Sequence, residues 1–222
     1  MKLQEKFKAI RFRKSGKSYR EILKLIDVSK STMSLWLRDI ELTQEQKERI
    51  LIGRKKSQYE AAKAKQQKRI NSTNLIIGES KKEVDKLMSN PLFLSGLMLY
   101  WAEGDKAENW ENVKFSNSDP HMIKVIMRWF REICKVPEEK FRVCLHIHSL
   151  HCRNDVEKYW SKIVGIPLSQ FYKTQIKVTS LGQRKNKLYN GTCAVTVCNK
   201  NLFRRIKGWK LGFIEKIDII KS

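Results

Sequence analysis

Two stretches of this chain carry one pattern thirty positions apart. Trp129, Phe130, Ile133, Val136, Pro137 and Phe141 return as Tyr159, Trp160, Ile163, Ile166, Pro167 and Phe171. Each copy has apolar residues at helical spacing, then a Val-Pro or Ile-Pro turn, then the start of a run with strand character. A chain that builds helix, turn and strand twice in succession is committed to a layered α+β domain. Its aromatic residues belong where each helix meets the sheet. They read as core anchors rather than as surface rings for stacking on bases.

The surrounding sequence extends that layout. Pro91 suits a first helical position and opens an apolar helix over residues 92–102, ending at Glu103-Gly104-Asp105. A strand is expected at 112–117, and Ser118-Asp119-Pro120 caps a helix over 121–134. Further strands are expected at 141–148, 172–179 and 192–198, with helices over 155–164 and 201–217. The prediction is a mainly antiparallel sheet with amphipathic helices on one face.

The N-terminal third has a different period. Leu3, Phe7 and Ile10 form a stripe on a helix over 3–14, which Gly16 ends. Ser18 caps a second helix, 18–26, with Ile22 and Ile26 facing inward; Asp27-Val28 makes the turn. Ser29 caps a third helix whose buried side carries Met33, Trp36 and Leu37. Apolar residues at this spacing pin two short helices at a fixed crossing around a tight turn. The same spacing leaves Lys30, Ser31, Thr32, Ser34 and Arg38 on the open face of the third helix. Short hydroxyls backed by Lys and Arg suit base edges and phosphates in a major groove. The stretch SYREILKLIDVSKSTMSLWLRDIELT resembles the helix-turn-helix of resolvases and related bacterial and archaeal DNA-binding proteins. Leu23 stands where that family prefers a small residue and Asp27 where it often has Gly.

Between these parts the chain reads as helix with few apolar positions. Residues 54–69, RKKSQYEAAKAKQQKR, hold seven basic side chains against one acid, and no heptad seam runs through them. The reading is a solvated spacer helix or one lying along a DNA backbone, with Arg54, Lys55 and Lys56 among its contacts. Asn71-Ser72-Thr73-Asn74 and Gly78 mark a break, and Ser89-Asn90-Pro91 a domain boundary. Three segments are therefore expected: residues 1–53, a helix-turn-helix domain; 54–90, a basic helical connector; and 91–222, an α+β domain.

A net charge of +23 narrows the partners. So large a surplus opposes compaction by self-repulsion, and a polyanion relieves it with release of counterions. Double-stranded DNA is the expected partner. RNA fits the helix-turn-helix less well, because A-form RNA has a deep, narrow major groove. No run approaches a membrane-spanning length and the N-terminal segment lacks a secretory core, so no membrane association is expected. Cys134, Cys144, Cys152, Cys193 and Cys198 form no Cys-x-x-Cys pair, which points to a reducing, cytoplasmic setting.

The segments LSGLMLYWAEGDK and VKFSNSDPHMIKVIMRWF together resemble the LAGLIDADG homing-endonuclease fold, over about residues 91–217. In that family an apolar helix lies at a dimer or pseudo-dimer seam and ends in an acid beside Gly. The acids of two such helices hold divalent metal over the scissile phosphates. The resemblance implies a C-terminal α/β sandwich of LAGLIDADG type with a DNA-facing sheet. It makes Glu103 a catalytic metal ligand and Asp105 a second, with Lys106 or Lys177 as charge stabilisers and Mg²⁺ the cofactor if the chain cleaves DNA. A single motif occurs, so a complete site needs a homodimer. Met98, Tyr100 and Trp101 stand where close packing of two such helices prefers small residues. The family also includes regulators that kept the fold without cleavage, paired with a helix-turn-helix in the reverse order. The two expectations are a regulatory, sequence-specific DNA-binding protein that needs no cofactor and a Mg²⁺-dependent site-specific endonuclease.

Two further features are open on sequence alone. Cys144, His146 and His148 would project from one face of a strand, with His151 and Cys152 beyond it. Zinc uses such residue types, but three neighbours along one strand lie too far apart to share an ion. Arg184, Lys185, Asn186 and Lys187 form a loop between strands, either solvated or reaching a phosphate backbone.

Overall fold

The computed structural model describes residues 2–148, 153–177 and 190–217, with the side chain of Asn154 set aside. Its contacts divide the chain into two units, Met1–Ile70 and Asn71–Ser222.

The first unit is helical. α1 (Leu3–Lys14) ends where Gly16 takes φ +84°, a backbone conformation that suits glycine. α2 (Tyr19–Leu23) is shorter than expected but carries the foreseen cap. Ser18 Oγ accepts from the Glu21 N–H at 3.2 Å, and the Glu21 carboxylate accepts from the Ser18 N–H at 2.7 Å. α3 (Lys30–Leu37) starts at Ser29, whose hydroxyl accepts from the Thr32 N–H at 3.1 Å. Ala9, Ile22, Ile26, Met33 and Leu37 make the core, with Phe12, Tyr19, Val28 and Trp36 packed around it. Of the expected stripe Leu3, Phe7 and Ile10, only Ile10 packs against this core; Leu3 is 50% and Phe7 65% exposed. α1 turns its Ala9 side into the core that it shares with α2 and α3. Leu3 and Phe7 lie more than a quarter turn away on that helix.

α4 (Gln44–Leu87) begins in the first unit and ends in the second. The expected break is absent, since Asn71–Asn74 and Gly78 all continue the helix. Residues 71–87 count with the second unit for a packing reason. α8 (Lys200–Lys216) crosses this end of α4 with glycines at the contact. A Cβ on Gly208 would stand 2.6 Å from Ser80 Cβ, and one on Gly212 would stand 2.9 Å from Lys81 Cα. Around that close crossing the Trp209 indole N–H donates to Glu83 at 2.6 Å and Arg205 pairs with the same carboxylate at 2.9 Å. Lys81–Glu215 and Lys216–Asp85 pair alongside.

The rest of the second unit runs α5 (Pro91–Glu103), β1 (Val113–Asn117), α6 (Pro120–Glu132), β2 (Phe141–His148), α7 (Arg153–Val164), β3 (Gln175–Lys177) and β4 (Thr192–Val197), then α8. It is mixed α+β. The sheet order is β1-β4-β2-β3, with β4 antiparallel to both β1 and β2 and β3 parallel to β2. The thirty-residue repeat explains the parallel pair. Pro137 and Pro167 each lead into a short 3-10 turn, Glu138–Lys140 and Leu168–Gln170, and then to Phe141 and Phe171. Two helix–turn–strand units in succession return the second strand parallel to the first, with α7 as the crossover. Arg131 ties the copies together by a bidentate pair with Glu138 and a hydrogen bond to Val164 O at 2.8 Å. The aromatics are core, as expected: Trp129, Phe130, Phe141 and Trp160 are fully buried.

Candidate nucleic-acid interface

In the first unit the site begins with the Ser29 cap. Ser29 Oγ holds the α3 N-terminus and is hydrogen-bonded to the hydroxyls of Ser31 and Thr32, each at 2.8 Å. Lys30, Ser31, Ser34 and Arg38 are exposed, and Thr32 is half-buried. Met33 and Leu37 anchor the opposite side in the core. Arg38 lies 3.6 Å from Asp39, but both side chains are well exposed, which makes this pair weak. The outward face therefore joins hydroxyls to two cations on a short helix that its core contacts fix. Arg54, Lys55 and Lys56 lie on an α4 segment, residues 51–70, that is exposed throughout.

In the second unit the sheet has two unlike faces. Val113, Phe115, Phe141, Val143, Leu145, Ile147, Val195 and Val197 are buried under the helices. The alternate residues face the other way. Register aligns them in rows: Lys114, Thr196 and Arg142; then Ser116, Ala194 and Cys144; then Thr192, His146 and Gln175; then His148 and Lys177. Burial pushes the His146 pKa down, and the charges of Lys114 and Lys177 push it further the same way. This face gathers cations and hydrogen-bonding groups without a carboxylate in any of these rows. Lys114 and Arg142 were not singled out in the sequence, although the alternation in VKFSN and FRVCLHIH places both on this side.

The acid-Gly end of α5 is well defined. Gly104 bridges to Phe115, and the Asp105 N–H donates to Lys114 O at 2.8 Å. A Cβ on Gly104 would meet Tyr100 O at 2.4 Å, so only glycine fits the turn. The Glu103 side chain is exposed and makes no ion pair or hydrogen bond with any described residue. Asp105 is also exposed and accepts from the Ala107 N–H at 2.9 Å. Lys106 caps α5 by donating to Ala102 O at 3.4 Å. Lys177 is not brought to these acids within one chain. It sits on β3, at the opposite edge of the sheet from β1, about 14 Å away at ~4.8 Å per strand.

Among the described residues no group of three or more His, Cys, Asp or Glu side chains gathers to hold an ion. Cys134, Cys144, Cys193 and Cys198 are free thiols. Among the described residues no helix is long and apolar enough to cross a membrane. His151, Cys152, Arg184, Lys185 and Lys187 lie outside the described residues.

Comparison with protein-family models, with curated proteins and with solved structures gives no match.

Proposed function

We propose that this chain is a sequence-specific double-stranded DNA-binding protein with a regulatory role. The observation that carries the reading is α3: capped by Ser29, anchored by Met33 and Leu37, with Lys30, Ser31, Ser34 and Arg38 facing solvent. A helix of this length, set after a tight turn, presents donors and cations at the scale of a major groove. The exposed basic segment of α4 adds sequence-independent attraction to phosphates. The carboxylate-free rows of the sheet face, with Lys114, Arg142 and Lys177, support a second DNA contact, as the resemblance to the LAGLIDADG fold implies.

Selection of duplexes from a random pool, followed by footprinting, tests the reading. Recovery of one motif, protected over at least one major-groove segment, is expected. Recovery of unrelated sequences bound with equal affinity would overturn sequence specificity.

The second reading is a metal-dependent endonuclease acting as a homodimer. One observation favours it: the Glu103 side chain has no partner among the described residues and stands at the C-terminal end of α5, where the helix dipole disfavours a carboxylate. Since one chain lacks a metal-binding group among its described residues, the reading requires Glu103 from two copies. Incubation of plasmid bearing the selected motif with Mg²⁺ or Mn²⁺ decides it. Nicking that is lost in Glu103→Gln supports the enzyme, and binding without cuts supports the regulator.

A further inference from the structure

On a helix with 3.6 residues per turn, successive side chains are about 100° apart. Measured from the mean direction of Met33 and Leu37, which are both fully buried, Leu35 points about 180° away. The residue farthest from the core of α3 is thus a leucine, and it is 61% exposed. Ser31 and Arg38 lie within about 60° of it on one side, and Ser34 lies one step further round on that side.

A single exposed apolar side chain is ordinary on a protein surface. The position of this one is not neutral. The other exposed side chains of α3 and its C-cap, Lys30, Ser31, Ser34 and Arg38, are polar, and the Lys and Arg attract a polyanion. In the major groove the one apolar group on any base edge is the C5 methyl of thymine. We infer that Leu35 is a specificity-determining residue that packs on a thymine methyl, while Ser34 and Arg38 take polar groups beside it. The inference rests on the DNA-binding reading of α3 and assigns part of its sequence preference.

The methyl can be removed from the DNA without touching the protein. The test uses the full chain and the tightest duplex recovered from a random pool, resynthesised with deoxyuridine at each thymidine in turn. Burial of one methyl corresponds to about fourfold in affinity. One or two positions are expected to show about that loss with the wild-type chain. Leu35→Ala, at an exposed site and checked for unchanged helical circular dichroism, is expected to lose about as much on the thymidine duplex and nothing further on the deoxyuridine one. Methyl loss that costs nothing at any position, or costs the same in Leu35→Ala, would overturn the inference while leaving DNA binding intact. Leu35→Ala that dissociates a dimer in sedimentation without changing the methyl effect would also overturn it and assign the side chain to self-association. Failure to recover any preferred duplex would sink the inference together with the reading it rests on.

Discussion

Arg204 and Glu111, ninety-three positions apart, close a bidentate ion pair, Nε to Oε1 at 2.7 Å and Nη2 to Oε2 at 2.9 Å. Both side chains are nearly shut off from solvent, at 8% and 13% exposure. Glu111 adopts φ +47°, an unfavourable conformation for a residue with a Cβ, so the pair holds a backbone that would otherwise relax. It fastens the segment between α5 and β1 onto α8.

Removing one partner of such a pair leaves an uncompensated buried charge. Arg204→Ala is expected to cost the second unit about 3–5 kcal/mol. Urea unfolding monitored by tryptophan fluorescence measures the loss. A cost near that of an exposed pair, below about 1 kcal/mol, would show that the pair does not brace the segment.

The glycines of the helices separate into two kinds. A Cβ on Gly96 would stand 2.0 Å from Trp129 Cγ, inside the core. Gly96→Ala is therefore expected to destabilise the second unit by about 3 kcal/mol through overpacking. Gly78 meets nothing within 4 Å. Gly78→Ala is expected to gain about 0.5–1 kcal/mol by helix propensity. Thermal unfolding of the two variants should move in opposite directions.

Acid should loosen the first unit through Glu21. Hydrogen bonds from the Ser18 backbone and side chain, then the Arg49 charge, hold this carboxyl below the usual carboxylate range. A lowered folded-state pKa contributes stability above the unfolded value of about 4.3, and that contribution vanishes as pH falls through the folded value. Glu21→Gln should flatten the fall in helical signal between about pH 5 and pH 3. An unchanged acid profile would remove the capping box from the account of stability.

Salt dependence reports on the cations of the DNA-binding reading. If Lys30 and Arg38 each meet a phosphate, Lys30→Ala with Arg38→Ala should lower the slope of log K against log salt by about 1.8. Titrations at several salt concentrations measure it. An unchanged slope would mean that neither cation reaches the DNA backbone.

Local patterns were the legible part of the sequence. Ser18 and Ser29 announced their caps, Gly16 its turn, and the thirty-residue repeat the two helix–turn–strand units. What failed depends on contacts between distant residues. Leu3 and Phe7 have helical spacing, but the face that α1 buries is set by Ala9 meeting α3, which no window of sequence reveals. Asn71–Asn74 and Gly78 look like a breaker, yet the helix persists where α8 packs on its far end through Gly208 and Gly212. The order β1-β4-β2-β3 also separates Lys177 from Glu103 within one chain, which no local pattern shows.

The most direct test puts negative charge on the outward face of α3. Ser31→Glu with Ser34→Glu leaves the core untouched, and a carboxylate at residue 31 suits the helix N-terminus, so the fold should hold. Fluorescence anisotropy with the pool-selected duplex at about 0.15 M salt is expected to show affinity at least tenfold below wild type, with identical circular dichroism. Equal affinity in the two proteins would contradict the placement of α3 against DNA.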